Sequence, residues 1–234
     1  MLTTRVERWR SGGEFSTFRG RRLFVRRRDG EGPLLLLLHG FPSSSYDCAL
    51  WELERHRAAL APDFLGFGLS KKPREHVYSL AWQADAVEEL AREAGASTAF
   101  VVAHDMGTSV ATELFARELE GRLGFAVAGA LLFNGRILLE RARPTVSQRL
   151  LRSRGGALFA GLTTELTFRR QFARLFSPAH PLTDDEAEDQ WALLSHAAGH
   201  RIAHRTIHYM DERERFTDRW RGAFRDWPGP LSLA

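Results

Sequence analysis

TAFVVAHDMG, residues 98–107, is the stretch that decides the fold. Residues 98–103 are a run of apolar and β-branched side chains, which is typical of a strand buried on both faces. Residues 110–119 then place Val, Ala, Leu and Phe at helical spacing. The sequence therefore predicts a strand that turns sharply into a helix, with His104 and Asp105 at the turn.

Asp105 is the residue that such a turn exposes. A sharp turn from strand to helix strains the backbone of its central residue and lifts that side chain above the sheet. The small residues Ala103 and Gly107 allow strand and helix to pack closely. An ionised carboxylate here can attack an electrophilic carbon and form an ester, and the Met106 N–H at the helix N-terminus can stabilise an oxyanion. The alternative is an ordinary helix N-cap, where aspartate is common.

An upstream strand favours the nucleophile over the N-cap. Residues 33–38 form an aliphatic run that ends at His39-Gly40-Phe41-Pro42. In a fold with a strand–turn–helix nucleophile, the second oxyanion N–H comes from the loop after such an earlier strand. The two signals occur in that order on the expected elements.

Strands and helices alternate through the first 135 residues. Gly20 separates two short strands that predict a hairpin, and Ser79 is the expected N-cap of a helix that Gly95 ends. The remaining assignments are strands at 14–19, 21–27, 58–62 and 125–133 and helices at 46–56 and 80–94. This alternation predicts an α/β fold in which helices flank a mostly parallel sheet.

The pattern changes after Gly135. Residues 136–220 carry helical patterns without a convincing strand, and Gly199 is expected to separate two of the helices. A helical insertion of this size over an α/β sheet predicts a cap, after which residues 228–234 begin another strand. The predicted domain organisation is a core at 1–135, a helical cap at 136–220 and a return to the core at 221–234.

Composition limits the class of protein. The chain has 234 residues, of which 44% are hydrophobic and 26% charged, so it is neither disordered nor fibrous. Its longest apolar run, residues 34–38, is far below the about 20 residues that span a membrane. One cysteine, Cys48, excludes an intramolecular disulfide and favours the cytoplasm. The net charge is +4, but the arginines are spread along the whole chain among acidic residues rather than concentrated on one face. We therefore expect no nucleic-acid partner.

Three segments together resemble the epoxide hydrolase and haloalkane dehalogenase group of α/β-hydrolases, and the mesoderm-specific transcript branch in particular. They are HGFPSSSYD at 39–47, DFLGFGLSKKP at 63–73 and HDMG at 104–107. The resemblance implies that Asp105 is the nucleophile and that the backbone N–H groups of Phe41 and Met106 form the oxyanion hole. It gives supporting roles to His39, Gly40, His104 and Gly107.

The resemblance also bears on the substrate. Epoxide hydrolases of this group use two cap tyrosines to polarise the epoxide oxygen, and Tyr209 is the one tyrosine within the predicted cap. A packing role for Tyr209 is the alternative. Met106 and Phe41 occupy positions where related dehalogenases carry side chains that bind halide or carboxylate. We therefore expect hydrolysis of a small apolar epoxide first and haloalkane dehalogenation second, with no cofactor.

An aspartate nucleophile also needs a histidine to activate water and an acid to orient that histidine. In this fold the acid and the histidine follow the nucleophile in the chain. The sequence ends within the strand expected after the cap, and Asn134 occupies the site where some dehalogenases place the acid. We therefore expect a chain truncated before the last strands, which forms an ester on Asp105 and turns over slowly.

Two further patterns have alternative interpretations. Histidines spaced by four, at His196, His200, His204 and His208, predict a polar helix stripe rather than a metal site, because no acidic residue or cysteine lies among them at ligand spacing. A non-catalytic domain that binds a ligand or partner under its cap is the other reading of the chain. Aromatic residues that could line such a pocket are Phe159, Phe168, Phe172, Phe176 and Trp191.

Overall fold

The computed structural model describes residues 1–48, 50–53, 55–135 and 144–234. Seven strands within these residues form one sheet in the order β1-β2-β4-β3-β5-β6-β7. They are β1 (Glu14–Phe18), β2 (Arg21–Arg28), β3 (Glu31–Leu38), β4 (Arg57–Pro62), β5 (Thr98–His104), β6 (Ala126–Phe133) and β7 (Leu231–Leu233). β1 pairs with β2 and β2 with β4 in antiparallel fashion, and all other neighbours are parallel. The predicted mostly parallel sheet is confirmed.

Helices flank the sheet and fill the interval between β6 and β7. They are α1 (Thr4–Ser11), α2 (Leu50–Leu53), α3 (Leu80–Glu93), α4 (Met106–Leu119), α5 (Val146–Arg152), α6 (Gly156–Gly161), α7 (Glu165–Phe172), α8 (Asp184–Ser195), α9 (Ala203–Thr206), α10 (Tyr209–Arg215) and α11 (Thr217–Asp226). We call residues 144–226 the helical segment. None of the helices in the described ranges is both long and apolar enough to cross a membrane.

The centre of the sheet brings the two sequence motifs together. β3 and β5 run in parallel, and their register pairs Leu34 with Ala99 and Leu38 with Ala103. Because parallel strands end at the same edge of a sheet, the loop after Leu38 lies beside the turn at Asp105. Leu36 and Val101 are both 0% exposed, which agrees with a sheet covered on both faces.

The helices of the core follow the sequence signals closely. The Ser79 hydroxyl accepts a hydrogen bond from the Trp82 N–H and so caps α3, and Gly95 follows the helix with a φ of +70°. The predicted helix at 46–56 is shorter than expected. A 3₁₀ turn at Ser45–Asp47 and the one-turn helix α2 occupy its described part, and residues 49 and 54 lie outside the described residues.

The N-terminal helix α1 has no counterpart in the sequence prediction. The Thr3 hydroxyl accepts from the Val6 N–H at the start of α1 and donates to Asp189 of α8. Arg5 also binds Asp189, with 2.8 Å between its Nε and the carboxylate oxygen. A residue more than 180 positions away thus fixes α1, which explains why local patterning does not reveal it.

The expected cap is helical in the part that the structure describes. Its first residues, 136–143, lie outside the described part of the chain. The predicted boundary between residues 220 and 221 falls within α11, which packs along α4 rather than over the sheet edge. A capping box begins α8, because Thr183 and Glu186 exchange hydrogen bonds.

Gly199 separates two helices as predicted, because it lies in the irregular turn His196–Ile202 between α8 and α9. Ala197 and Ala198 have φ values of +50° and +59° and interrupt the helical path there. Gly199 instead makes room for a neighbour, since a Cβ on it would lie 2.4 Å from Cε of Lys72.

The four histidines spaced by four do not lie on one helical face, so the predicted polar stripe is wrong. His196 and His200 belong to the irregular turn at His196–Ile202, His204 lies in α9, and His208 precedes α10. The positive φ angles at Ala197 and Ala198 prevent a continuous helical face.

Candidate active site

Asp105 occupies a strained turn between β5 and α4. Its backbone has φ 43° and ψ −107°, a conformation that non-glycine residues rarely adopt. Its carboxylate makes no capping hydrogen bond to α4, so it is not used to satisfy the helix N-terminus. The turn is held by backbone bonds, in which the Asp105 N–H donates to Phe133 and the Asp105 carbonyl accepts from the Thr108 N–H and hydroxyl.

Glycines make the close packing around this turn possible. A Cβ on Gly107 would lie 2.4 Å from the carbonyl oxygen of Leu38, and one on Gly40 would lie 2.9 Å from the Asp105 Cβ. Real Cβ atoms do not approach backbone or side-chain atoms so closely. Both positions therefore require glycine, and together they bring the loop after β3 against the Asp105 side chain.

Two groups contact the Asp105 carboxylate from opposite regions of the fold. The Phe41 N–H donates to Oδ2 at 3.1 Å, and the Arg213 Nη1 lies 3.5 Å from Oδ1. The Asp105 side chain keeps 18% of its surface exposed. Met106 is the first residue of α4, so its N–H has no partner within its own helix.

Arg213 is the functional residue that sequence reasoning missed. Its Nη2 donates to the Asp105 carbonyl oxygen at 2.6 Å, and its Nε donates to the Ser109 hydroxyl at 2.7 Å. Only 5% of its side chain is exposed. A signal was available, because Arg213 follows Tyr209 by four residues and shares its face of a helix.

Tyr209, the candidate cap tyrosine, lies in the same cluster. It is 2% exposed, and its ring centroid is 5.7 Å from that of Phe41. The Arg213 guanidinium lies 4.7 Å from the Tyr209 ring centroid. The helical segment thus places a phenol and a guanidinium together beside the Asp105 turn.

His39 organises the loop that carries Phe41. Its Nε2 accepts from the Phe64 N–H at 2.9 Å, so its Nδ1 carries the proton and donates to the Gly40 carbonyl at 2.8 Å. Burial lowers the pKa of His39 below its ordinary value. A neutral ring with both nitrogens bonded to the backbone holds the loop in one conformation.

His104 and Asn134 face each other rather than the Asp105 carboxylate. The Asn134 Nδ2 is 3.2 Å from the His104 Nε2, and the His104 ring stacks on Phe133. Burial lowers the pKa of His104. Within the described residues, no histidine makes a hydrogen bond to the Asp105 side chain.

A pocket opens beside Phe41, between the core and the helical segment. It has an empty volume of about 260 Å³, including space open to solvent. Its lining residues are Phe41, Pro42, Gly66, Phe67, Gly68, Lys72, Leu194, Gly199, Ala203 and Thr206. The Lys72 ammonium donates to the carbonyls of Gly68 and Ser70, and burial lowers its pKa to about 8. The pocket is otherwise mostly apolar.

The five aromatic residues that were expected to line a ligand pocket in a non-catalytic domain do not line this pocket. Phe168 and Phe172 stack on each other, Phe168 also contacts Trp191, and Phe172 contacts Phe176. Phe159 packs against the main core. These rings stabilise the helical segment.

The fold and this turn define a class of protein. The sequence profile of the alpha/beta hydrolase family matches residues 35–233, which is most of the chain. The chain belongs to the alpha/beta hydrolase family.

Relatives agree with the resemblance seen in the motifs. LipZ of Mycobacterium tuberculosis is 49% identical over 234 residues, covering 100% of this chain and 81% of LipZ. The mesoderm-specific transcript protein of Mus musculus is 37% identical over 235 residues, covering 95% of this chain and 70% of the mouse protein. The solved structure of the epoxide hydrolase CorEH shares the fold, with a TM-score of 0.73 and 22% identity over 94% of this chain and 80% of CorEH.

Proposed function

We propose that this hydrolase uses Asp105 as a nucleophile and forms an alkyl-ester intermediate with a small apolar epoxide. The observation that carries the proposal is the strained turn at Asp105, whose carboxylate is free of any capping role and receives the Phe41 N–H. A carboxylate held above the carboxyl edge of a sheet, and not used to cap its helix, is available for attack.

The two carboxylate oxygens have different surroundings and therefore different roles. Oδ2 is bound by the Phe41 N–H, so Oδ1 attacks the epoxide carbon. When water later attacks the ester, the N–H groups of Phe41 and Met106 would stabilise the negative oxygen of the tetrahedral intermediate. Hydrolysis of the ester needs a general base, and neither His39 nor His104 is oriented for that task because both rings bond elsewhere.

The apolar pocket beside Phe41 supports a small apolar substrate, and Tyr209 supports an epoxide over a haloalkane. A phenol in the helical segment can donate a hydrogen bond to the opening epoxide oxygen and so polarise it. Haloalkane dehalogenation is the second candidate, since it begins with the same attack by Asp105. A non-catalytic binding domain is the third, and the strained Asp105 turn argues against it because such strain is retained where it serves a function.

Intact-mass analysis after exposure to 1,2-epoxybutane tests the proposal. We expect one adduct of the epoxide's mass, located by peptide mapping on Asp105 and absent from Asp105→Asn. Asp184→Asn, which changes an exposed carboxylate at the start of α8, is the matched control and should be labelled like the wild type. No adduct, or an adduct on another residue, would contradict the nucleophile. Rapid diol formation without a trapped adduct would contradict the slow second step.

A further inference from the structure

The nucleophile of this site is paired with a buried cation from the helical segment. The Arg213 Nη1 lies 3.5 Å from Oδ1 of Asp105, the oxygen that the Phe41 N–H leaves free. With 5% of its side chain exposed, Arg213 has little access to water. Its charge is therefore compensated by the Asp105 carboxylate.

We propose that Arg213 makes Asp105 react with epoxides in preference to haloalkanes. The oxygen displaced from an epoxide carbon stays attached to the substrate as an anion and can pair with Arg213. This inference rests on the proposed function of Asp105. It assigns to Arg213 the role of holding the negative charge after attack, in the place of the second cap tyrosine that the chain lacks.

The charge balance of the first step explains the selection. Oδ1 of Asp105 forms a bond to an epoxide carbon while the bond from that carbon to the ring oxygen breaks. The electron pair of the broken bond moves to the ring oxygen, which remains attached to the neighbouring carbon as an alkoxide. The alkoxide stays paired with the Arg213 guanidinium and accepts a hydrogen bond from the Tyr209 hydroxyl. The proton that completes the alcohol comes later from water, which leaves the site as hydroxide.

Attack turns the charged carboxylate into a neutral ester, so Arg213 loses its counter-ion. A buried charge left without its partner is strongly destabilising. An epoxide replaces that partner at once, because its new alkoxide is tethered within the site. A haloalkane supplies an anionic partner only while the halide remains in the site. The electron pair of the carbon–halogen bond leaves with the halide, which can diffuse away.

The guanidinium is held in place by bonds that do not involve the reacting oxygen. Nη2 binds the Asp105 backbone carbonyl and Nε binds Ser109, which leaves Nη1 facing the carboxylate. The Tyr209 ring lies against the guanidinium. Arg213 thus stays beside the turn when the carboxylate becomes an ester.

Single-turnover labelling with two reagents tests this role. The rates of Asp105 alkylation by 1,2-epoxybutane and by 1-iodobutane are measured by intact mass for the wild type, Arg213→Met, Arg213→Lys and the control Arg152→Met. In Arg213→Met we expect the epoxide rate to fall about 100-fold, as for loss of one donor at a developing anion, and the iodobutane rate to fall less than about tenfold. Arg213→Lys keeps the charge and should restore part of the epoxide preference.

The ratio of the epoxybutane rate to the iodobutane rate distinguishes stabilisation of the alkoxide by Arg213 from a purely structural role of Arg213. Any general effect on the Asp105 turn changes both rates equally, because both reagents react with the same carboxylate. Arg152→Met removes a cation of the helical segment that pairs with Asp211 and Glu214 rather than with Asp105, so its ratio should match the wild type. An unchanged ratio in Arg213→Met, with Asp105 still labelled, would overturn the inference alone. Wild-type protein that neither reagent labels would overturn the proposed function and this inference with it.

Discussion

The core of the sheet and the helical segment contribute to the site by different physical means. In the core, Leu36 and Val101 on neighbouring strands are 0% exposed. In the helical segment, short helices leave large apolar side chains in solvent, with Leu158 of α6 and Leu162 just after it exposed by 70% and 67%. The core supplies backbone geometry, at Asp105 and the Phe41 N–H. The helical segment supplies side chains, at Tyr209 and Arg213.

Polar contacts join these two regions where they meet at α4. Arg213 binds Asp105 and Ser109, and Trp220 and Arg219 of α11 both bind Glu113. Asp105, Ser109 and Glu113 are spaced by four and lie along one face of α4. Tight apolar packing thus fixes the proposed nucleophile Asp105, whereas directional bonds along α4 place Arg213 beside it.

The largest expected effect comes from removing Glu113. Burial raises the pKa of this carboxyl, but hydrogen bonds from Arg219, Trp220 and Arg117 outweigh burial and hold the pKa below its ordinary value. Glu113→Ala removes the buried acceptor that these three donors share and should lower the free energy of unfolding by about 3–5 kcal/mol. Urea denaturation measures the loss, and hydrogen exchange should show faster exchange in α11.

Glu120→Ala is the control for that variant. Glu120 also pairs with Arg219, but its side chain is 38% exposed, so its loss should cost at most about 1 kcal/mol. Equal losses in the two variants would show that polar contacts along α4 do not hold the helical segment.

Leucine truncation compares the two regions directly. Leu36→Ala removes a side chain that is 0% exposed in β3 and should cost about 2–5 kcal/mol. Leu158→Ala makes the same change at a side chain that is 70% exposed and should alter stability by no more than about 0.5 kcal/mol. A large loss for Leu158→Ala in urea denaturation would mean that the helical segment has a core of its own.

Replacing two glycines with alanine should change the stability by smaller amounts and in opposite directions. In Gly107→Ala the new Cβ meets the Leu38 carbonyl oxygen at 2.4 Å, and the forced shift should cost about 1–3 kcal/mol. In Gly222→Ala, within α11, nothing lies within 4 Å of the new Cβ. Better helix propensity should then stabilise the protein by up to about 1 kcal/mol. Thermal unfolding compares them, and destabilisation by both would show that α11 is packed as tightly as α4.

The same contrast explains which features the sequence predicts. Buried strands such as β3 and β5 carry continuous aliphatic runs, and the turn at Asp105 carries its own small residues, so local pattern was sufficient. The spacing of four from Tyr209 places Arg213 on the same helix face, but its pairing with Asp105, 108 residues earlier, is a tertiary contact that local pattern does not predict. The separation of two helices at Gly199 is predicted correctly, but the positive φ angles there belong to the two alanines before it, and alanine does not signal such angles.

The smallest expected effect is a pH dependence from His39 in the core. Because burial lowers its pKa in the folded state, the unfolded chain, with a pKa of about 6.5, takes up a proton more readily. The stability that neutral His39 supports is therefore complete above pH 6.5 and decreases as the pH falls below that value. His39→Gln, which can still accept from the Phe64 N–H, should flatten this decrease, whereas His180→Gln at an exposed position should not. Urea midpoints between pH 7.5 and 5 measure the slope, and equal slopes in wild type and His39→Gln would mean that other groups carry the acid sensitivity.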